Sequence, residues 1–212
     1  MSKLAVGGCS FSDYRYGIIP WGEQVAQHYN HTYIHEAACA GSNYRIWRTL
    51  TQHIINNTLN SGDTIVLQYT LVDRRESWTP IEHTNTNPEE SIVDPYTSGS
   101  IIRLTPHSEQ FAVGRQERAL AHCHNYFTNH QFNLENFWCH HTAFAALCAT
   151  RGIALRYLNT IYDAENRISD INGIHLLSES SWRLDSSHMN QTGHDLCARL
   201  VIDHLAPTIE SN

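Results

Sequence analysis

The sequence lacks any long uninterrupted run of apolar residues. No stretch approaches the roughly 18 apolar residues that a membrane-spanning helix requires. At the N-terminus, Lys3 is followed by only a few apolar residues before Gly7, too few for the apolar region of a secretory signal. We therefore expect a soluble, cytoplasmic protein with no membrane partner.

Positive charge is scarce as well. Lys and Arg together number 14 against 21 Asp and Glu, which gives a formal net charge of −7. Proteins that bind nucleic acid phosphates or anionic lipid need a basic surface. The charge balance therefore argues against a nucleic acid partner, although it does not restrict small neutral substrates.

Motifs for metals and for paired cysteines are also missing. No Cys-x-x-Cys pair occurs among the six cysteines, and several lie in helix-like apolar stretches, which favours free thiols in a reducing compartment. His122-x-His124 and His140-His141 lack the spacing of His-Glu-x-x-His. We expect no metal and no cofactor, and we expect packing or surface roles for these histidines.

We also expect His194 to pack or cap in the first turn of the last helix.

What the sequence does contain is a regular alternation of strand-like and helix-like segments. The 212 residues fit one domain, and an apolar share of 41% is typical of a globular protein. Apolar runs and 3.6-residue periods predict strands at Lys3–Gly8, Thr32–Ala37, Thr64–Tyr69 and Ile153–Asn159, and helices at Trp21–Tyr29, Asn43–Leu59, Gln116–Arg151 (two pieces, broken near 129–133) and from Gln191 onward. This order predicts the α/β class, with a mostly parallel sheet covered by helices on both faces.

Two segments break the alternation. Residues from about Asp73 to Gly114 show little periodicity, and a segment of this length is typical of a functional loop or lid. Ala164–Ser181 also reads as irregular. In parallel sheets the ligand crevice lies outside the carboxyl ends of the strands. The loops after the first three strands therefore matter most, namely Gly7–Ser12, Ala38–Asn43 and Tyr69–Trp78.

A serine lies in the first of these loops. Ser10 follows the Gly7-Gly8 pair and Cys9, and glycines allow a tight turn with backbone amides close to a ligand. A serine hydroxyl is a weak nucleophile and needs a base. The segment therefore fits a nucleophile loop, and equally a serine that caps a strand-to-helix turn.

A candidate base lies near the other end of the chain. Asp185 precedes His188 by three positions, just before the last helix. A turn of this spacing can bring the carboxylate to one ring N–H and leave the other nitrogen as a general base. The alternative is a surface Asp and His that flank a helix start.

Together these segments resemble the SGNH/GDSL hydrolase family, in short blocks spread over almost the whole chain. Gly8-Cys9-Ser10-Phe11-Ser12 stands where the family has Gly-Asp-Ser-Leu or related forms, and Ala40-Gly41-Ser42-Asn43 stands where a glycine amide is an oxyanion donor. Asp185-x-x-His188 matches the block that supplies the other two triad members.

The resemblance implies a three-layer, flavodoxin-like α/β/α fold and ester or acyl-transfer chemistry. It makes Ser10 the nucleophile, His188 the general base and Asp185 the partner that orients the histidine. It makes the Ser10 and Gly41 amides oxyanion donors, and Asn43 in the same block is a further candidate for oxyanion or substrate binding. Losing one oxyanion donor typically costs about 10²–10³ in rate.

Two positions depart from the family pattern. Cys9 replaces the usual aspartate; it is an alternative thiol nucleophile, but it would point to the opposite side of an extended chain from Ser10. The family's Gly-x-Asn-Asp after the third strand is replaced by a segment from Gln68 that has no asparagine. Thr70, through its hydroxyl or its amide, and the positive charge of Arg74 or Arg75 are candidate replacements.

This substitution in the third block has two interpretations. Divergent family members with Gly-Cys-Ser-Phe resemble this chain in having Gln-aromatic-Thr and a downstream Arg, which makes it a subgroup pattern. Alternatively the oxyanion hole is incomplete and activity is low.

The sequence therefore predicts a single domain over residues 1–212 that acts as a serine esterase or acyl hydrolase. The expected substrate is a small acyl ester of a carbohydrate or small metabolite. A carbohydrate O-acyltransferase with the same triad and a non-catalytic ligand-binding protein on the same fold are the alternatives. The oligomeric state stays open.

Overall fold

The structure is a computed structural model that describes residues 1–9, 12–14, 17–38, 41–79, 100–104, 129–159, 174–175 and 189–209. The strands in this part of the chain are β1 (Lys3–Gly8), β2 (Thr32–Ala37), β3 (Thr64–Leu67), β4 (Arg75–Thr79), β5 (Ser100–Leu104), β6 (Ala154–Asn159) and β7 (Ile174–His175). The helices are α1 (Trp21–His28), α2 (Asn43–Ile55), α3 (His130–Thr150) and α4 (Gln191–Ile209).

The main sheet is parallel and has the strand order β2-β1-β3-β6-β7. The central strand β1 pairs with both neighbours, so that Val6 lies opposite His35 on β2 and Val66 on β3. This order is that of flavodoxin-like folds, in which the strand order reverses next to β1. The predicted α/β/α class with a mostly parallel sheet is confirmed.

Side chains that alternate along β1 build two separate cores. Leu4 and Val6 face α1 and α4, whereas Ala5 faces α2 and α3. The strands are apolar on both faces because helices cover both of them. The helical residues of the first core are Trp21, Val25, Ala26, Cys197, Ala198, Val201 and Leu205. Those of the second core are Ile46, Trp47, Leu50, Ile54, Leu134, Phe137, Phe144 and Cys148.

The helix α2 shows how local chemistry fixes an element. Ser42 caps its start, since the Ser42 Oγ accepts the Arg45 N–H at 3.2 Å. The predicted end at Leu59 is wrong, because α2 stops at Ile55. Asn57 has a φ of 56°, and this left-handed residue turns the chain so that the next amides bond back to the helix.

The segment from Asp73 to Gly114 contains regular structure that we did not expect. The strands β4 and β5 pair antiparallel, with Ser77 opposite Ile102. Residues 80–99 separate the two strands in sequence, so no short turn motif predicts that they form a hairpin. The two-residue strand β7 likewise lies in the segment that read as irregular. The expectation of a lid over the rest of 73–114, and the predicted helix over 116–128, lie outside the described residues.

None of the described helices is both long and apolar enough to cross a membrane. The described residues also contain no group of three or more His, Cys, Asp or Glu side chains arranged to hold a metal ion.

Candidate active site

The first three strands deliver their loops to one edge of the sheet. The Gly8 carbonyl accepts the Ala38 amide at 3.1 Å, which holds the loop after β2 against the end of β1. The Gly7 carbonyl accepts the Gln68 amide at 2.8 Å, which does the same for the loop after β3. These are the three loops that the sequence singled out, and they lie side by side.

The predicted triad residues Ser10, Asp185 and His188 lie outside the described residues. The residues next to two of them are described. Cys9 directly precedes Ser10, and Met189 directly follows His188. Both are fully or almost fully buried in the same apolar core, between the sheet and the helices α1 and α4.

Cys9 and Ser12, the described residues on either side of positions 10 and 11, are joined by a hydrogen bond that defines a turn. The Ser12 amide donates to the Cys9 carbonyl at 2.9 Å. Gly8 makes room for this turn, because a Cβ there would lie 2.7 Å from the Ser12 Oγ and 3.1 Å from the Gln68 Oε1. The glycine is therefore required by close approach, as the Gly-Gly pair suggested.

The Gln68 side chain is hydrogen-bonded to both ends of this turn, Cys9 and Ser12. Its Oε1 accepts from the Cys9 amide at 3.1 Å, from the Cys9 Sγ at 3.2 Å and from the Ser12 Oγ at 3.3 Å. Its Nε2 donates to the Tyr69 carbonyl at 2.6 Å. The side chain is completely buried, and its carboxamide is bonded at both ends, as buried amides must be.

Trp21 extends this network to the last helix. Its indole Nε1 donates to the Ser12 Oγ at 2.9 Å, and its backbone amide donates to the His194 Nδ1 at 3.2 Å. His194 is 2% exposed, and desolvation lowers its pKa to about 4 despite a smaller opposing effect of Asp195. The ring is therefore neutral near pH 7, with Nδ1 as acceptor. The expected packing role of His194 is confirmed.

The start of α4 is fixed to the segment before α1. Asn190 caps the helix, since its Oδ1 accepts the Gly193 amide at 2.9 Å. The Gln191 side chain accepts the Ile19 amide at 3.0 Å and donates to the Ile19 carbonyl at 3.3 Å. The start of α4 is thereby bonded to the segment that leads into α1.

Gly41 lies where the second loop approaches the first. A Cβ at Gly41 would lie 2.9 Å from the Ala38 carbonyl oxygen and 3.4 Å from that of Gly8, so only glycine fits without a backbone shift. The Gly41 amide donates to the Ala38 carbonyl at 2.9 Å. The amide that we expected in the oxyanion hole is therefore engaged within its own loop.

Asn43 connects the second and third loops. Its Nδ2 donates to the Thr70 carbonyl and its Oδ1 accepts the Thr70 amide, both at 2.9 Å. Both residues are buried. The Thr70 amide thus donates to Asn43, which argues against this amide, rather than the Thr70 hydroxyl, as the oxyanion donor. The contact gives Asn43 a bracing function that the sequence did not reveal.

The third loop is anchored to the helix α3. The Arg74 amide donates to the Leu71 carbonyl at 3.1 Å, which closes a turn with Asp73 inside it. The Asp73 carboxylate contacts the His130 Nδ1 at 2.8 Å and the Asn133 Nδ2 at 2.7 Å, at the start of α3. The Arg74 side chain is half-buried beside this turn.

The histidines of α3 pack against aromatic rings. His140 stacks on Trp47, with ring centroids 5.3 Å apart and an interplanar angle of 15°. The His141 Nδ1 lies 3.0 Å from the Tyr69 hydroxyl, and burial lowers the pKa of this histidine. The predicted packing role is confirmed for both residues, whereas His122 and His124 lie outside the described residues.

The four described cysteines are free thiols. Cys9, Cys148 and Cys197 are buried, and Cys139 is exposed. The Cys9 Sγ faces Gln68 inside the core. This placement argues against Cys9 as the nucleophile, because a reactive thiol must be accessible.

Sequence reasoning missed the network of Gln68, Ser12 and Trp21. One signal was available: Gln68 lies within the predicted buried strand Thr64–Tyr69, and a buried amide needs hydrogen-bond partners. Which partners it finds depends on the crossover connections, which no local pattern encodes.

No protein-family model matches the sequence, and no curated protein matches it. Solved structures do match. One is a protein named as a lipolytic protein of the G-D-S-L family from Desulfitobacterium hafniense DCB-2, with a TM-score of 0.51 at 7% identity, and the match covers 96% of this chain and 99% of that one. Another is the YxiM protein from Bacillus subtilis, with a TM-score of 0.53 at 12% identity, and the match covers 98% of this chain and 56% of that one. The chain therefore shares the fold of these two proteins.

Proposed function

We propose that this protein is a serine esterase or acyl hydrolase in which Ser10 is the nucleophile, His188 the general base and Asp185 its orienting partner. The observation that carries the proposal is the shared burial of Cys9 and Met189 in one apolar core. These residues adjoin Ser10 and His188 in sequence. Residues that adjoin the proposed nucleophile and base thus contribute to one apolar core, which supports the proposal.

The chemistry follows from the assigned roles. His188 takes the Ser10 proton as the Ser10 Oγ bonds to the ester carbonyl carbon, and Asp185 stabilises the imidazolium that forms. The imidazolium then gives this proton to the departing alcohol as the ester C–O bond breaks. His188 next takes a proton from water as the water oxygen attacks the acyl-enzyme carbonyl carbon. The proton passes to the Ser10 Oγ as the acyl bond breaks, which releases the carboxylic acid and restores Ser10.

The proposed oxyanion hole lacks the asparagine that the family has after the third strand. We assign the Ser10 and Gly41 amides and the Thr70 hydroxyl as donors, with Arg74 as nearby positive charge. The Gly41 amide already donates to Ala38, so it must share that hydrogen or rotate when substrate binds. Asn43 would contribute by holding Thr70 in place.

The substrate that we propose is a small acyl ester of a carbohydrate or a small metabolite. The triad mechanism needs no cofactor. We place the enzyme in the cytoplasm, which suits the free thiols of Cys9, Cys139, Cys148 and Cys197.

A fluorophosphonate probe followed by peptide mapping tests the nucleophile. We expect one label, on Ser10, and no label in Ser10→Ala. Cys9→Ala is the matched control at the adjacent position, and it should still be labelled. Labelling at another residue, or no labelling of the parent protein, would refute the assignment.

A non-catalytic binding protein on this fold is the second candidate. Two observations favour it: the Gly41 amide donates to Ala38, and the Thr70 amide donates to Asn43. Absence of p-nitrophenyl acetate turnover in the parent, together with ester binding that is unchanged in Ser10→Ala, would favour this candidate over the enzyme.

A further inference from the structure

We propose that Gln68 is the positioning residue of the nucleophile turn. This inference rests on the proposed function and deepens it, since it concerns what holds Ser10 in place. One carboxamide oxygen bonds residues on both sides of the Ser10-Phe11 pair, namely Cys9 and Ser12. The turn is closed a second time by the bond from the Ser12 amide to the Cys9 carbonyl.

Gln68 can position the turn because Gln68 is itself fixed. Its backbone amide bonds to the Gly7 carbonyl on β1, and its Nε2 bonds to the Tyr69 carbonyl. The side chain is completely buried, so it has little conformational freedom. The central sheet therefore sets the location of the oxygen, and the oxygen sets the two ends of the turn.

Both donors lose this acceptor if the Gln68 Oε1 is removed. The Cys9 amide and the Ser12 hydroxyl are buried groups in contact with Gln68, and water does not reach them. A leucine at position 68 would fill a similar volume without an acceptor. Cys9 and Ser12 would then need new partners, and the segment between them would move with them. A displacement of about 1 Å at a catalytic group can cost on the order of 100-fold in rate.

The Gln68→Glu substitution gives a sharper test than leucine. When protonated, the introduced carboxyl has the same pattern as the amide, because its O–H donates towards the Tyr69 carbonyl and its C=O accepts from Cys9 and Ser12. When ionised, this carboxyl has no donor for Tyr69. Burial disfavours the ionised form and raises the pKa of such a carboxyl. The activity of Gln68→Glu relative to the parent should therefore rise as the pH falls.

The experiment compares the parent, Gln68→Leu and Gln68→Glu, with p-nitrophenyl acetate as substrate. Active sites are titrated with a fluorophosphonate, so that kcat refers only to folded, competent sites. We expect Gln68→Leu to lose about 10- to 100-fold in kcat per site, while KM stays within about threefold because binding groups are untouched. Gln52→Leu is the matched control, since this glutamine makes an exposed bond on α2, and it should match the parent.

The outcomes separate the two proposals. An active parent whose kcat per site is unchanged in Gln68→Leu would mean that Gln68 is merely structural, and the positioning role would be rejected while the esterase proposal stands. If Gln68→Leu does not fold, the pH range is extended above the pKa of the introduced carboxyl, and a Gln68→Glu to parent activity ratio that stays flat across that ionisation rejects the role just as well. A parent that is neither labelled nor active removes the esterase proposal and this inference together.

Discussion

The backbone amide of Trp21 donates to the ring Nδ1 of His194 at 3.2 Å. The two residues are the first of α1 and a first-turn residue of α4, so this bond joins the start of the two helices that cover one face of the sheet. The indole of Trp21 also reaches Ser12. A single residue thus links the turn after β1 to the helix that follows the predicted His188.

The buried His194 predicts an acid-sensitive stability. Desolvation lowers its folded-state pKa to about 4 from an ordinary value of 6.5. Between these values the unfolded chain binds more protons, so the free energy of unfolding rises with pH through this window. The contribution is complete above pH 6.5 and is lost as pH falls towards 4. It amounts to about 3 kcal/mol, at roughly 1.4 kcal/mol per pKa unit.

His194→Asn isolates this effect. The Asn Oδ1 takes a position close to that of the His Nδ1, so the bond to the Trp21 amide is kept while the titrating ring is removed. Urea unfolding from pH 4 to pH 8 should give a flatter profile for the variant than for the parent. Two parallel profiles would show that His194 does not titrate on unfolding as we expect.

The adjacent glycines of β1 predict two different phenotypes. A Cβ on Gly7 would lie 2.7 Å from Ile46 and 2.8 Å from Leu50, whose flexible side-chain ends belong to the core under α2. Gly7→Ala should therefore destabilise the fold by about 1–3 kcal/mol through overpacking. Its kcat per titrated active site should stay close to that of the parent.

Gly8→Ala should reduce catalysis as well as stability. Its Cβ would lie 2.7 Å from the Ser12 Oγ, on the other face of the strand, and would push the turn away from Gln68. We expect kcat per titrated site to fall at least tenfold, on the scale of a catalytic group displaced by a fraction of an ångström. Steady-state kinetics on both alanine variants check this. Equal kcat values in Gly7→Ala and Gly8→Ala would contradict the assignment of the turn to catalysis.

Apolar patterning was sufficient to predict the layers of this fold. β1 and β2 have the predicted bounds, and α4 begins at the predicted Gln191 because Asn190 caps it. Those features depend on local residues alone. The pairing of β4 with β5 across residues 80–99 was not predictable in this way, because it depends on contacts between distant segments.

In the candidate site, too, the features set by local residues were predictable and those set by contacts between distant segments were not. Gly8 was predictable as a close-approach glycine because a pair of glycines at a strand exit is typical of a tight, crowded turn. The commitment of the Thr70 amide to Asn43 was not, because a side chain's hydrogen-bond partner is set by how two loops meet. Sequence reasoning therefore located the loops correctly, and the structure assigned the contacts within them.

The pair of bonds between Asn43 and Thr70 predicts a large loss of stability in Asn43→Ala. Both backbone groups of Thr70 would lose a buried partner, and each unsatisfied group costs about 1–3 kcal/mol. For two groups, we expect the free energy of unfolding to fall by about 2–6 kcal/mol. Asn136→Ala on α3 is the matched control, because its Nδ2 also bonds a backbone carbonyl, but in an exposed position. Chemical denaturation of both variants should therefore show a clear difference, and equal losses would mean that the brace is unimportant.

The placement of the thiols predicts a selective pattern of alkylation. Cys139 is exposed, whereas Cys9, Cys148 and Cys197 are buried, and burial raises the pKa of Cys148 to about 12. Only the thiolate reacts with iodoacetamide, so among these four Cys139 should be modified first in the native protein. Peptide mapping before and after denaturation measures this, with modification of all four in urea as the positive control. Rapid native modification of Cys9 would contradict the buried contact with Gln68 and would restore the thiol as a rival nucleophile.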